Sequence, residues 1–340
     1  MKRNQPILLP LLILVFTSAA FGQTWQQLFD QGLAEFRAEK YVEAAATFAR
    51  VNALNATNHA SRFNLGLCNM RLKRYSEAIT AFNEAVTIKP DYTLAWIQLG
   101  NALDYNNRYP EALVAYQKAL SIEPNNSQAY FEIGVAHYAA KKYAEAETAY
   151  RTSIRLKADY APAQENLGKS LDMLDKIEAA VPYYQEAVRL DPKMSHSHRR
   201  IGDFLVRQKR FPEAIESFRK CLALTPRNAD AYLGLGNAYY NDKKYAEAAP
   251  NYREAVAISP KWVLANVYLG DSLRLLKQYS DAEKAYLKAL ELEPRHADAI
   301  YWLGMLQVVA GKKEAARVYY DRLKPINAER AARLLQFIEP

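Results

Sequence analysis

The chain has 340 residues, half of them hydrophobic and 24% charged, which is enough apolar material to order a core and too much for a disordered chain. Its net charge of +8 is a modest excess with no continuous Lys/Arg stripe, which argues against nucleic acid as a partner. Two cysteines and five scattered histidines show no zinc-site spacing, so neither a metal nor a cofactor is expected.

Residues 1–22, MKRNQPILLPLLILVFTSAAFG, open with Lys2 and Arg3, run apolar from Ile7 to Phe16 and close on small residues, with Ala20 and Gly22 at the end. That is the plan of a cleaved secretory signal. An uncleaved anchor is the alternative, but Ile7 to Phe21 contains a proline and is short of the roughly 20 residues that span a bilayer. The expectation is export, with the periplasm ahead of the secreted space because a short signal of this type resembles a bacterial one. No later stretch is apolar for long enough to span, so no stable membrane span is expected after cleavage.

From residue 25 the sequence aligns with itself at an offset of 34, through LGLCNM (65–70), LGNALD (99–104), IGVAHY (133–138), LGKSLD (167–172), IGDFLV (201–206), LGNAYY (235–240), LGDSLR (269–274) and LGMLQV (303–308). With a divergent first copy, QGLAEF, nine copies tile 25–330 as 25–58, 59–92, 93–126, 127–160, 161–194, 195–228, 229–262, 263–296 and 297–330. Nine of the twelve glycines fall at one repeat position, among them Gly100, Gly202 and Gly236, and an alanine follows each twelve residues later. The Gly234-x-Gly236 step is thus one copy of a repeat. It has no strand before it and is not a phosphate loop.

Each copy carries two apolar stripes of helical period, for example Tyr232, Leu235, Gly236 and Tyr239, then Tyr245, Ala248, Tyr252 and Ala255. The reading is a pair of helices per copy, with the small Gly and Ala admitting close approach of the pair. Prolines such as Pro90, Pro124 and Pro260 recur just after the second stripe and stop that helix. Pro182 and Pro250 lie deeper, where kinks are expected. Residues 331–340, AARLLQFIEP, read as a capping helix. Cys68 and Cys221, four copies apart, are expected as small core residues rather than a disulfide.

These residues resemble the tetratricopeptide repeat family: Trp96, Leu99, Gly100, Tyr109, Ala112, Tyr116, Ala119 and Pro124 match its pattern in one copy. Departures are Ile177 and Lys313 at the turn aromatic, and Ala56, Ala158 and Ala328 at the closing proline. The resemblance implies an all-α fold, a right-handed α-solenoid superhelix of antiparallel helix pairs. It also implies that a peptide or partner helix binds along the concave face made by the first helices. Position 5 of that face reads Phe29, Phe63, Ile97, Phe131, Glu165, Arg199, Leu233, Val267 and Tyr301, apolar, then charged, then apolar. Some of these side chains face the neighbouring helix on the alternative reading.

Copy 6 carries eight basic and three acidic residues and begins SHSHRRIGD. His196 and Arg200 share a helical face, with Arg199 beside it, Asp203 beyond it, and Asn166 and Lys169 expected nearby from copy 5. Two readings stand. Arg199, Arg200 and Lys169 form an anion site for an acidic segment, or Glu165 and Asp203 pair these cations within the fold. On the first reading Arg199→Glu with Arg200→Glu weakens partner binding and leaves melting unchanged. The carboxylate clamp of chaperone-binding relatives is matched only loosely, by Asn166, His196 and Arg200, with Phe131 and Val135 in its first two places. His196-x-His198 points two rings in different directions and is a poor metal pair. The family's sugar-transferase relatives carry Asn at position 6 of copy after copy, but here only Asn64 and Asn166 do.

The expected function is a non-catalytic interaction scaffold of the cell envelope or secreted space, binding a protein or peptide in the groove of Phe63, Ile97, Phe131, Glu165, Asn166, Lys169, His196, Arg199, Arg200, Asp203, Leu233 and Tyr301. The alternatives are an adaptor recruiting a separate protease, cell-wall synthase or glycosyltransferase and, behind it, a catalytic protein with a site in the groove. Self-association is a further option. No Ser/His/Asp set or paired carboxylates stand out as catalytic.

Overall fold

The computed structural model describes residues 23–339, and the signal expected over 1–22 lies outside them. Nineteen helices and no strand occur among the described residues. The described residues divide into two compact units, one ending at Pro124 and the other starting at Asn125. The first holds α1 (Trp25–Arg37), α2 (Tyr41–Leu54), α3 (His59–Arg71), α4 (Tyr75–Ile88), α5 (Thr93–Tyr105) and α6 (Tyr109–Ile122). The second begins with α7 (Ser127–Ala139), α8 (Tyr143–Leu156), α9 (Ala161–Met173), α10 (Ile177–Leu190), α11 (Ser195–Arg207) and α12 (Phe211–Leu224). It continues with α13 (Ala229–Asn241), α14 (Tyr245–Ile258), α15 (Val263–Leu275), α16 (Tyr279–Leu292), α17 (Ala297–Val309), α18 (Lys313–Leu323) and α19 (Ala328–Ile338). Within each unit, every odd-numbered helix up to α17 packs on the helix that follows it, and the pairs stack in chain order. None of these helices is long and apolar enough to cross a membrane.

Local chemistry explains where helices start and stop. Thr24 and Gln27 close a capping box ahead of α1. Asn58, Asn126 and Asn228 cap α3, α7 and α13 by accepting an N–H three residues on. The helices α10 and α14 run unbroken through Pro182 and Pro250, each giving up one backbone hydrogen bond. The last copy departs from the others. Pro325, without an N–H, lies just beyond α18, which has 11 residues where the other second helices have 14. Asn327 then caps α19, which starts at Ala328, three residues before the expected cap and at a position read as a joint.

Packing revises the reason for the repeat glycines. A Cβ on Gly236 would meet the Tyr252 ring at 2.6 Å, and one on Gly100 would meet Tyr116 at 2.3 Å. The glycine is therefore small to seat an aromatic ring of the second helix, more than to bring two backbones together. Gly234 does the same for the preceding copy, where its Cβ would meet Phe218 at 2.4 Å. Cys68 and Cys221 are both buried and free. Burial pushes the Cys68 thiol up to about 12, so it is inert at neutral pH.

Each turn between paired helices bends at one residue of positive φ. Eight of these are not glycine, including Lys73, Asn107, Lys141 and Lys243 at φ near 60°, and the ninth is Gly311 at 72°. This accounts for Gly311, which lies off the glycine position of the repeat. A left-handed side-chain residue costs about 1 kcal/mol. Gly311→Ala is expected to lower stability by about that much, and Lys243→Gly to raise it by up to about 1 kcal/mol. Urea midpoints of the two variants check this; shifts of the same sign would contradict it.

Candidate functional site

First helices of neighbouring pairs touch in α3–α5, α7–α9 and α11–α13, and successive second helices have no comparable contact. Side chains on the first helices therefore line the inner side of each unit's stack. In the first unit this face holds an open cavity of about 570 Å³, lined by Phe36, Leu67, Met70, Arg71, Lys73, Tyr75, Gln98, Asn101 and Tyr105. Tyr75 and Tyr105 stack at 5.4 Å with rings 12° from parallel, and Asn101 is fixed by accepting a hydrogen bond from the buried Tyr116 hydroxyl at 2.7 Å.

The expected groove residues divide by burial. Phe63 and Ile97 are buried, Phe63 between the rings of Phe82 and Tyr92. They fill the core and offer nothing to a ligand, which corrects the reading that placed them in the groove. In the second unit Phe131 is half-buried against Tyr150 and Tyr160, and Leu233 and Tyr301 are also partly exposed.

The charged middle of the face is a closed network. Lys169 Nζ lies 2.6 Å from Glu165 and 3.4 Å from Asn166 Oδ1, and the Ser197 hydroxyl donates to Glu165 at 2.7 Å. Arg199 pairs with Asp203 at 2.8 Å. Arg200 bridges Asp172 at 2.7 Å and Asp203 at 3.1 Å, and the Tyr184 hydroxyl also donates to Asp172. Each of the three cations thus has a carboxylate of its own fold, and the pairing of Glu165 and Asp203 with them is what the geometry shows. Asp172 was not among the sequence candidates. Its signal was its place at position 12, which reaches position 6 of the next copy only once the pairs are stacked.

Energetics follow from this closure. Burial raises the Asp203 carboxyl against the pull of Arg199 and Arg200. Burial acts to raise Glu165, but the hydrogen bonds from Lys169 and Ser197 together with the charges of Lys169 and His196 bring its carboxyl below the ordinary value. His196, with its ring beside Tyr184, is lowered from 6.5 to about 4, first by burial and then by Lys169, Arg199 and Arg200, with Glu165 opposing. His198, two residues on, turns instead to the Pro192 carbonyl at 3.0 Å.

For His196 the unfolded imidazole takes its proton near pH 6.5 and the folded one near 4. Between those values the unfolded chain binds more protons, so stability falls as pH drops through this window. His196→Asn is expected to flatten that part of the profile in chemical unfolding. Parallel profiles for the two proteins would contradict it.

At the far end of the second unit the face is aromatic. Arg274 of α15 lies over the Trp302 ring of α17, 3.6 Å from its centroid, and Tyr301 meets Trp302 edge-on at 4.9 Å. Asp271 accepts from the Tyr286 hydroxyl at 2.6 Å, and burial raises its carboxyl. Among the described residues no group of three or more His, Cys, Asp or Glu is placed to hold a metal ion.

Models described as tetratricopeptide repeat match residues 29–93, 97–161 and 269–332, with further matches at 161–194 and 229–262, and one described as TPR repeat matches 202–243. A search of curated proteins gave no match. Among solved structures, the C-terminal part of a TPR repeat-containing protein from Cytophaga hutchinsonii is similar at 20% identity, covering 70% of this chain and 99% of that one with a TM-score of 0.56. PilF of Pseudomonas aeruginosa is similar at 19% identity, covering 62% and 96% with a TM-score of 0.52. YrrB, described as a TPR protein with an unusual peptide-binding site, is 26% identical over 55% of this chain and 96% of its own, with a TM-score of 0.50. With family models covering more than half of its length and helix pairs at the matched residues, the chain belongs to the tetratricopeptide repeat family.

Proposed function

We propose that the chain is a non-catalytic scaffold that holds an extended segment of a partner protein along the first-helix face. The observation that carries this reading is the open cavity of about 570 Å³ on that face, with Arg71, Lys73 and stacked tyrosines at its wall. A concave site of this size, part apolar and part polar, suits side chains of a bound segment. The similarity to YrrB supports the reading, since that structure is described by its peptide-binding site. Catalysis is not part of it: the partly buried carboxyls of Asp203 and Asp271 are held by Arg199, Arg200 and Tyr286 rather than turned to a substrate. The leader-like residues 1–22 support a place in the cell envelope, with the periplasm ahead of the secreted space.

The test is a photocrosslinking residue placed in cells at Gln98 on the cavity wall or at Leu233, with Lys288 on α16 as control. One partner captured through a defined segment from the first two positions, and not from Lys288, is the expected result. Equal capture from Lys288, or capture only of a second copy of this chain, would overturn the reading.

A further inference from the structure

The first-helix face carries several cations, and they differ in whether the fold has already neutralised them. Lys169, Arg199 and Arg200 are each paired with a carboxylate. Arg274 has no carboxylate within ion-pair distance among the described residues. It occupies the same repeat position as Asp172, and it too reaches across to position 6 of the next copy. In copies 5 and 6 that step is an acid on a base, Asp172 on Arg200. In copies 8 and 9 it is a base on an indole, Arg274 on Trp302.

Stacking fixes the plane of the guanidinium, and a fixed planar fork matches a carboxylate with little further ordering. Its Nε is sealed from solvent without a hydrogen-bond partner, so the terminal nitrogens are the part of the fork that a ligand can meet. The nearby acids do not form an ion pair with it. Asp271 accepts from Tyr286, and burial raises its carboxyl against the pull of that bond and of Arg274. Asp298, on α17, is paired with Arg330. Tyr240 and the Tyr286 hydroxyl, which also interacts with Arg274 by a side-chain hydrogen bond, complete the ionisable surroundings.

Building on the groove reading, we propose that Arg274, held flat on Trp302, is the point of the groove that reads a carboxylate. It takes an Asp or Glu side chain of an extended partner segment whose apolar neighbour lies against Tyr301. Within the second unit the acidic preference of the partner is therefore set in copies 8 and 9, and not at the arginine pair of copy 6.

The experiment selects binders from a displayed random-peptide library against the chain from residue 23, then measures selected peptides and their Asp→Asn or Glu→Gln forms. The expected result is that selected peptides carry an acid and lose about tenfold or more in affinity when it is neutralised. Arg274→Gln should abolish that difference, and Arg274→Lys should restore only part of it. The peptide swap on the unaltered chain needs no variant, so a poorly folding Arg274→Gln leaves the test intact. Peptides indifferent to the swap but blocked by Leu233→Glu would overturn the role of Arg274 and leave the groove reading standing. Peptides indifferent to both changes, or no selected peptide at all, would overturn both.

Discussion

Phe218→Ala is expected to destabilise the second unit by about 4–5 kcal/mol, the upper part of the range for aromatic truncation in a core. The ring is fully buried, and its nearest backbones are two glycines from different copies, Gly202 and Gly234, whose added Cβ atoms would meet it at 2.9 and 2.4 Å. On the side walled by these glycines no side chain is present to rotate in and fill the space. The loss should be local, because in a stacked array each pair is held mainly by its neighbours. Hydrogen exchange should therefore accelerate first in α11 to α13, with the urea midpoint falling in step. A loss below about 1 kcal/mol would mean that the site collapses and that the two glycines do not set the cost.

Arg200→Met ranks second, at about 2–4 kcal/mol, because it leaves Asp172 without its cation and Asp203 with Arg199 alone in a largely buried place. The Arg200 side chain is only 19% exposed and bridges Asp172 and Asp203 from two helices. This reverses the expectation that the arginine pair can be changed without effect on melting: Arg200 is part of the joint between copies 5 and 6. The variant should regain ground in acid, since burial already raises the Asp203 carboxyl and, with Arg200 gone, Arg199 alone opposes that rise. Arg200→Lys should recover little, as an ammonium cannot reach two carboxylates with the geometry of a fork. Thermal melts of the three proteins at neutral and acid pH decide the matter, and equal melting of all three would contradict it.

The fold was legible because a 34-residue period with an invariant small position admits few structures. What each residue of the period does was less so. The glycine could be read as small, but not as the seat of a ring sixteen residues later, because ring direction depends on the stacked partner. Phe63 and Ile97 share position 5 with Phe131 and Leu233, yet the first two are buried and the others are not. Periodicity assigns a face but not how deeply each copy sinks into its neighbour. Lys169, Arg199 and Arg200 were visible as a charge excess. Glu165 and Asp203 were visible beside them as partners within the fold, but the pairing of Arg200 with Asp172 was not, since it links positions 28 residues apart. Arg274 escaped notice because copies 8 and 9 have no charge run to draw attention to a single arginine.

The measurement that bears most directly on partner binding is hydrogen exchange of the chain with and without a partner segment captured by crosslinking. Protection confined to the partly exposed faces of odd-numbered helices, including α13, α15 and α17, is the predicted result. Protection centred on α14, α16 and α18, with the odd-numbered helices unchanged, would place the working surface on the other side and contradict it.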